Sequence, residues 1–142
     1  MNNWTLRLRQ SHQQRQSTRK ELLPLPREIL DGFSLQYHLH LEAMRAGCGS
    51  LMSLQLLMRV ALAAEFLQQL GYGKGPELHI EALEQAAANA LGAGTDGHYR
   101  FDTETVHRFA RLLTHHDGQL HLAPVKALAY VETKLTEYSK VA

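Results

Sequence analysis

The longest apolar stretch of the chain, residues 51–70, constrains its fold the most. Apolar side chains occupy nearly the whole circumference of a helix drawn over it, which is typical of a helix that others surround. Ser50 before it can cap free amide groups, and Gly71 after it favours the turn that ends a helix. The stretch is interrupted by Gln55, Arg59, Glu65, Gln68 and Gln69. Because a membrane span has few or no charges, we predict a central core helix and no membrane partner.

Four further segments carry helix signals at their ends. The signals are a capping oxygen or a proline at the start and a glycine at the end. The segments are 35–46 after Ser34 and before Gly47, 76–91 from Pro76 to Gly92, 103–116 between Asp102 and Gly118, and 124–139 from Pro124. We therefore predict an all-α single domain, a bundle or orthogonal array of about five helices.

The segment 33–41 also fits a strand, because apolar and polar residues alternate along it. Helix formers continue the run, and Tyr37, Leu41 and Met44 make a helical stripe, so we favour a helix. On a strand His38 and His40 would share a face, whereas on a helix they point about 200° apart. Under the helical prediction these two imidazoles cannot chelate one metal and are solvated or interface histidines.

The first twenty residues are cationic and contain no acid. The cations are Arg7, Arg9, Arg15, Arg19 and Lys20. The rest of the chain has ten cations against fourteen acids, a net charge of −4, whereas the whole chain carries +1. Pro24 and Pro26 prevent a continuous helix and form a stiff connector. We therefore predict two parts, an extended basic arm with its connector over 1–26 and a helical domain over 27–142.

The arm has two alternative uses that its sequence leaves open, and a disordered, soluble terminus with no binding role is the third interpretation. Its cations could contact nucleic-acid phosphates while Trp4 stacks on a base. Alternatively, the apolar alternation of Trp4, Leu6 and Leu8 could add a strand to the sheet of another protein or dock on a second copy. The predicted partner- or nucleic-acid-binding residues are Trp4, Arg7, Arg9, Arg15, Arg19 and Lys20.

Length and cysteine content bound the class of protein. At 142 residues the chain suits one domain and needs neither a disulfide nor a metal to fold. Cys48 is its one cysteine, so no intrachain disulfide forms, which suits a reducing cytosol. No apolar stretch of a signal peptide follows the basic N-terminus. We expect a cytoplasmic protein.

Histidines concentrate between residues 98 and 121, which raises the question of a metal site. Adjacent His115 and His116 point about 100° apart on a helix, and no pair of histidines four residues apart aligns on one face. Two histidines at the C-terminal end of a helix instead interact favourably with the helix dipole. The pair Asp117-Gly118 is typical of a turn. We therefore predict no metal and no cofactor.

Two glycine-containing turns resemble reactive or phosphate-binding loops only in part. Cys48 precedes a helix, where the dipole favours a thiolate, but no motif supplies a base. The segment 71–76, GYGKGP, places Lys74 among glycines, yet it lacks the spacing, the following hydroxyl and the preceding strand of a P-loop. Both segments are predicted to be helix-ending turns.

Segments 34–39 (SLQYHL), 41–43 (LEA), 47–50 (GCGS), 112–120 (LLTHHDGQL) and 123–124 (AP) resemble a set of short, uncharacterised proteobacterial proteins found among accessory or mobile-element genes. The resemblance spans most of residues 30–138 and not the arm. It implies a bacterial cytoplasmic setting and a regulatory role, and it transfers no functional residues.

These features predict a non-enzymatic helical interaction or regulatory protein whose arm assists binding to a macromolecular partner. That partner is another protein or a second copy of the chain. The alternative is a nucleic-acid-binding transcriptional regulator that uses the arm for phosphate contacts. A weaker alternative is an enzyme centred on Cys48 or on the group His115, His116 and Asp117.

Overall fold

The structure, a computed structural model, describes residues 19–141 and contains five long helices. They are α1 (Arg27–Ala46), α2 (Leu51–Gln69), α3 (Ile80–Ala93), α4 (Thr103–Leu122) and α5 (Val125–Val141). Over the described range the non-helical pairing is limited to two isolated bridges, Gly49 with Tyr99 and Thr95 with His98. The all-α prediction is therefore confirmed, and so is the helix over 33–41.

The helix α2 lies at the centre of the fold. Ser50 caps it by accepting from the amide of Ser53, whose hydroxyl accepts in turn from the amide of Ser50. α2 packs against all four other helices, whereas α5 packs against α2 and is joined to α3 by one hydrogen bond, from the hydroxyl of Tyr138 to Glu84. The predicted central helix is confirmed. By length and composition α2 could also cross a membrane, a test that buried core helices pass equally.

The helix α1 begins eight residues earlier than predicted. It starts directly after Pro26, whose carbonyl accepts from the amides of Ile29 and Leu30, so Ser34 lies inside the helix. A proline suits this place because its fixed φ of −55° leads into the helix. At the other end Gly47 adopts a φ of +80°, as predicted for a helix-ending glycine.

Two predicted glycine terminators lie inside helices. Gly92 belongs to α3, which begins at Ile80 instead of Pro76, and Gly118 belongs to α4, which continues to Leu122. A glycine inside a helix costs about 1 kcal/mol, which burial of neighbouring side chains can exceed. In α4 the next residues, Gln119 and Leu120, are both buried. The prediction that α4 ends near His116 was wrong for this reason.

The predicted arm enters the described part of the chain at Arg19. Residues 19–21 are helical instead of extended, and residues 22–26 form the non-helical connector that the prolines predict. The connector is held to the body, because the amide of Val125 donates to the carbonyl of Leu23 at 2.9 Å. Residues 1–18 lie outside the described range.

Candidate functional site

A polar contact between side chains joins α1 to α4. The Nε2 atom of His38 lies 2.9 Å from Oδ2 of Asp117, and the two side chains are 40% and 29% exposed. His40, two positions along α1, points to the other neighbour and hydrogen-bonds the hydroxyl of Ser53 on α2 at 2.8 Å. The two histidines are therefore interface residues on different sides of α1, as the helical prediction requires.

Tyr37 lies beside this pair and is buried. Its ring centroid is 6.2 Å from that of His38 and 5.8 Å from that of His116. The hydroxyl of Tyr37 and Oδ1 of Asp117 are both buried and have no hydrogen-bond partner among residues 19–141. Burial, and then the carboxylate of Asp117, raise the pKa of Tyr37, so this phenol stays protonated.

A buried amide connects α4 to α2 and to the loop after it. The Gln119 side chain is fully buried, and its nitrogen donates to the carbonyls of Ala64 at 2.9 Å and Tyr72 at 3.1 Å. Its oxygen is therefore left to accept from Nδ1 of His116 at 2.9 Å, which fixes a neutral His116 as the Nδ1–H tautomer. Burial lowers the pKa of His116, so this imidazole is neutral at pH 7.

The glycine loop 71–76 packs closely on α4. A Cβ placed on Gly73 would lie 2.7 Å from Cγ of Gln119, and one on Gly75 would lie 2.9 Å from Cε1 of His115. The glycines therefore let the loop backbone approach these side chains. This finding adds a packing role to the helix-ending turn that the sequence predicts.

The predicted reactive groups are not assembled into a centre. Asp117 pairs with His38 instead of with its sequence neighbours His115 and His116. Cys48 is an exposed free thiol, and no side chain of the described range hydrogen-bonds it. Within residues 19–141 no three histidine, cysteine or acidic side chains gather as a metal site would require.

The described part of the predicted binding arm is small. Arg19 and Lys20 are exposed, and neither makes a side-chain hydrogen bond or ion pair with residues 19–141. The other predicted binding residues, Trp4, Arg7, Arg9 and Arg15, lie outside the described range.

The sequence did not predict Tyr37 and Gln119 as members of the polar cluster at α1 and α4. The position of Tyr37 on the apolar stripe of α1 was the one signal for it.

A second surface of interest is the outer side of α1. Residues spaced alternately by three and four positions run along the helix, and we call them the outer seam. They are Ile29, Gly32, Gln36, Leu39, Ala43 and Ala46. All are exposed except Ala43, which is half-buried, and Leu39 is 58% exposed. Exposed Phe33 and Leu35 flank the seam.

The outer seam contains no charged residue. None of the five formally charged side chains of α1 belongs to this row, although Glu28 lies on the same side of the helix one turn before Gly32; the five are Arg27, Glu28, Asp31, Glu42 and Arg45. A surface helix of a monomeric protein normally turns polar residues to this side. The seven-residue spacing of the seam is instead the pattern with which one helix packs against another.

Comparisons with known proteins give no match. No protein-family model matches the chain, and neither does any curated protein or solved structure.

Proposed function

We propose that this protein is a non-enzymatic interaction or regulatory protein that binds a helix of a protein partner along the outer seam of α1. The observation that carries the proposal is the exposed, uncharged, heptad-spaced row of side chains on the outside of a helix whose inner side already packs in the core. Helix-in-groove recognition uses this spacing of apolar anchors. The partner is a different protein or a second copy.

The seam has the composition of a helix-docking surface. Leu39 is its main apolar anchor, and Leu35, one helical turn earlier, widens the apolar area on one side. Burying one leucine fully is worth about 1.5–3 kcal/mol, so these two side chains, each more than half exposed, contribute about 2–3 kcal/mol on docking. Gly32 has nothing within 4 Å of the place of a Cβ, so a partner helix can approach its backbone closely.

The cations near the N-terminus supply the second element of the proposal. Arg19 and Lys20 lie exposed a few residues before α1, and three further cations precede them in the sequence. Charges of one sign near a docking surface raise the association rate with an oppositely charged partner and do so less at high salt. These residues therefore assist binding of an acidic partner.

The test is capture of partners from the native host by the full chain, after nuclease treatment. We expect Leu39→Lys to reduce recovery of the specific partner about tenfold or more, since it places a charge at the centre of the seam. The control is Leu91→Lys on α3, because Leu91 is 48% exposed and lies on another surface. Equal recovery by both variants would contradict a role for the seam.

The oligomeric state decides between the two kinds of partner. If the partner is a second copy, light scattering on the purified chain shows a dimer that Leu39→Lys dissociates and Leu91→Lys does not. If the partner is another protein, both variants and the unaltered chain are monomers and only the capture experiment responds.

The second candidate is a nucleic-acid-binding regulator, and it is favoured by the exposed side chains of Arg19 and Lys20, which make no hydrogen bond or ion pair within residues 19–141. Five duplex phosphate contacts give a slope of log affinity against log salt of about −4 to −5. Replacing the five cations of residues 1–20 by glutamine would remove most of that slope. The absence of any shift with DNA or RNA at low salt would exclude this candidate.

A further inference from the structure

A cavity of about 770 Å³ lies between α4 and the segment that leads into α3. Its apolar wall includes Leu78, Leu83 and Leu112, and Ala82 on the first turn of α3 faces it. A cavity of this volume falls in the range that small-molecule ligands occupy, and such sites combine an apolar wall with a few polar groups.

The polar groups of the cavity are mostly cationic or basic. Arg108, Arg111 and His115 recur every three or four residues on α4, so they share one side of the helix. His79 faces them from the segment before α3, and Glu77 is the one acid in the lining. The cavity wall therefore carries two arginines against one carboxylate, together with two histidines.

The two arginines differ in the hydrogen bonds that their guanidinium groups already make. Arg108 donates to the carboxylate of Glu104 one turn earlier at 2.8 Å. Arg111 makes no hydrogen bond or ion pair with any residue in the range 19–141. All the N–H donors of its guanidinium are therefore available. A guanidinium binds carboxylate or phosphate through bidentate hydrogen bonds.

We propose that the cavity binds a small organic anion whose carboxylate or phosphate meets Arg111 and whose apolar body lies on Leu78, Leu83 and Leu112. This site is separate from the outer seam, and the proposal does not depend on the proposed function.

The test measures binding to the full chain by titration calorimetry with three probes of equal chain length: octanoate, octyl phosphate and neutral octanol. We expect one or both anions to bind with a dissociation constant below 1 mM and at least about tenfold more tightly than octanol, a difference of about 1.4 kcal/mol. The tighter of the two anions identifies the head group. Binding of neither anion at millimolar concentration would overturn the proposal.

Two variants locate the site. Arg111→Gln should weaken anion binding about tenfold and leave the affinity for octanol unchanged. The control Arg27→Gln, at an exposed position of α1, should change neither affinity. Ala82→Phe should fill the cavity and weaken binding of all probes, and Ala88→Phe, on the exposed side of α3, should not. A thermal melt confirms that each variant is folded. Equal affinity of Arg111→Gln and Arg27→Gln for the anions would overturn the assignment.

Discussion

His38 and Asp117 stand 79 positions apart in the chain, and their side chains meet at 2.9 Å across the contact between α1 and α4. The contact places a carboxylate beside the buried ring of Tyr37, and it draws Asp117 away from the neighbouring histidines of α4. A group that resembles a metal or catalytic cluster in the sequence is therefore divided among three contacts. His38 binds Asp117, His116 binds Gln119, and His115 packs on the glycine loop.

The buried hydroxyl of Tyr37 gives the first prediction. It has no partner in the described part of the chain, and a buried unsatisfied hydroxyl costs folding free energy. We expect Tyr37→Phe to leave the free energy of unfolding unchanged or to raise it by up to about 1 kcal/mol, measured by urea denaturation. A loss of more than about 1 kcal/mol would show instead that a bound water satisfies both Tyr37 and Asp117.

The buried imidazole of His116 predicts a loss of stability in acid. Burial lowers its pKa in the folded chain, so below the ordinary histidine pKa of about 6.5 the unfolded chain binds a proton that the folded chain does not. The free energy of unfolding therefore falls as the pH drops from 7, by up to about 1.4 kcal/mol per pH unit. His116→Gln should reduce this dependence between pH 7 and 5.

The matched control for that experiment is His107→Gln, because His107 is exposed on the same helix and lies away from its last turn. It should follow the pH dependence of the unaltered chain. If the free energy of unfolding depended on pH in the same way for both variants, protonation of His116 would not destabilise the folded chain.

The amide of Gln119 predicts a large structural effect from one side chain. Gln119→Leu replaces the amide by an apolar side chain of similar size and leaves the carbonyls of Ala64 and Tyr72 without the donor that Gln119 supplies. Each buried carbonyl left unpaired costs about 1–3 kcal/mol, so we expect a total loss of about 2–6 kcal/mol in urea denaturation. Gln85→Leu, at an exposed position of α3, should change stability by less than about 0.5 kcal/mol. Equal effects of the two variants would contradict the role given to Gln119.

Local signals predict the helices well where the cap and the burial pattern agree. Ser50 marks the start of α2 and Asp102 that of α4, because each side chain accepts from the amide three residues later. The start of α1 was mispredicted, since Ser34 offers the same kind of oxygen as a true cap. That error also removed Ile29 and Gly32 from the helix and so hid the outer seam.

The polar contacts could not be predicted in the same way. Whether Asp117 meets His38 or His116 depends on the packing of α1 on α4, and no local pattern encodes a contact between residues so far apart. The position of Gly118 inside α4 has a similar origin. Its preference for a helix end is worth about 1 kcal/mol, whereas the following buried residues contribute more by staying in the helix.

The last prediction compares two glycines, one inside a helix and one in a turn. Gly118 lies within α4 with nothing within 4 Å of a Cβ position, so Gly118→Ala should raise the free energy of unfolding by about 0.5–1 kcal/mol. Gly73 has a φ of +78°, and a Cβ there would lie 2.7 Å from Gln119, so Gly73→Ala should lower it by about 1–3 kcal/mol. Urea denaturation of the two variants measures both effects. If α4 ended at Gly118, as its sequence alone predicts, alanine at that position would destabilise the chain, and the sign of this one change therefore distinguishes the two structures.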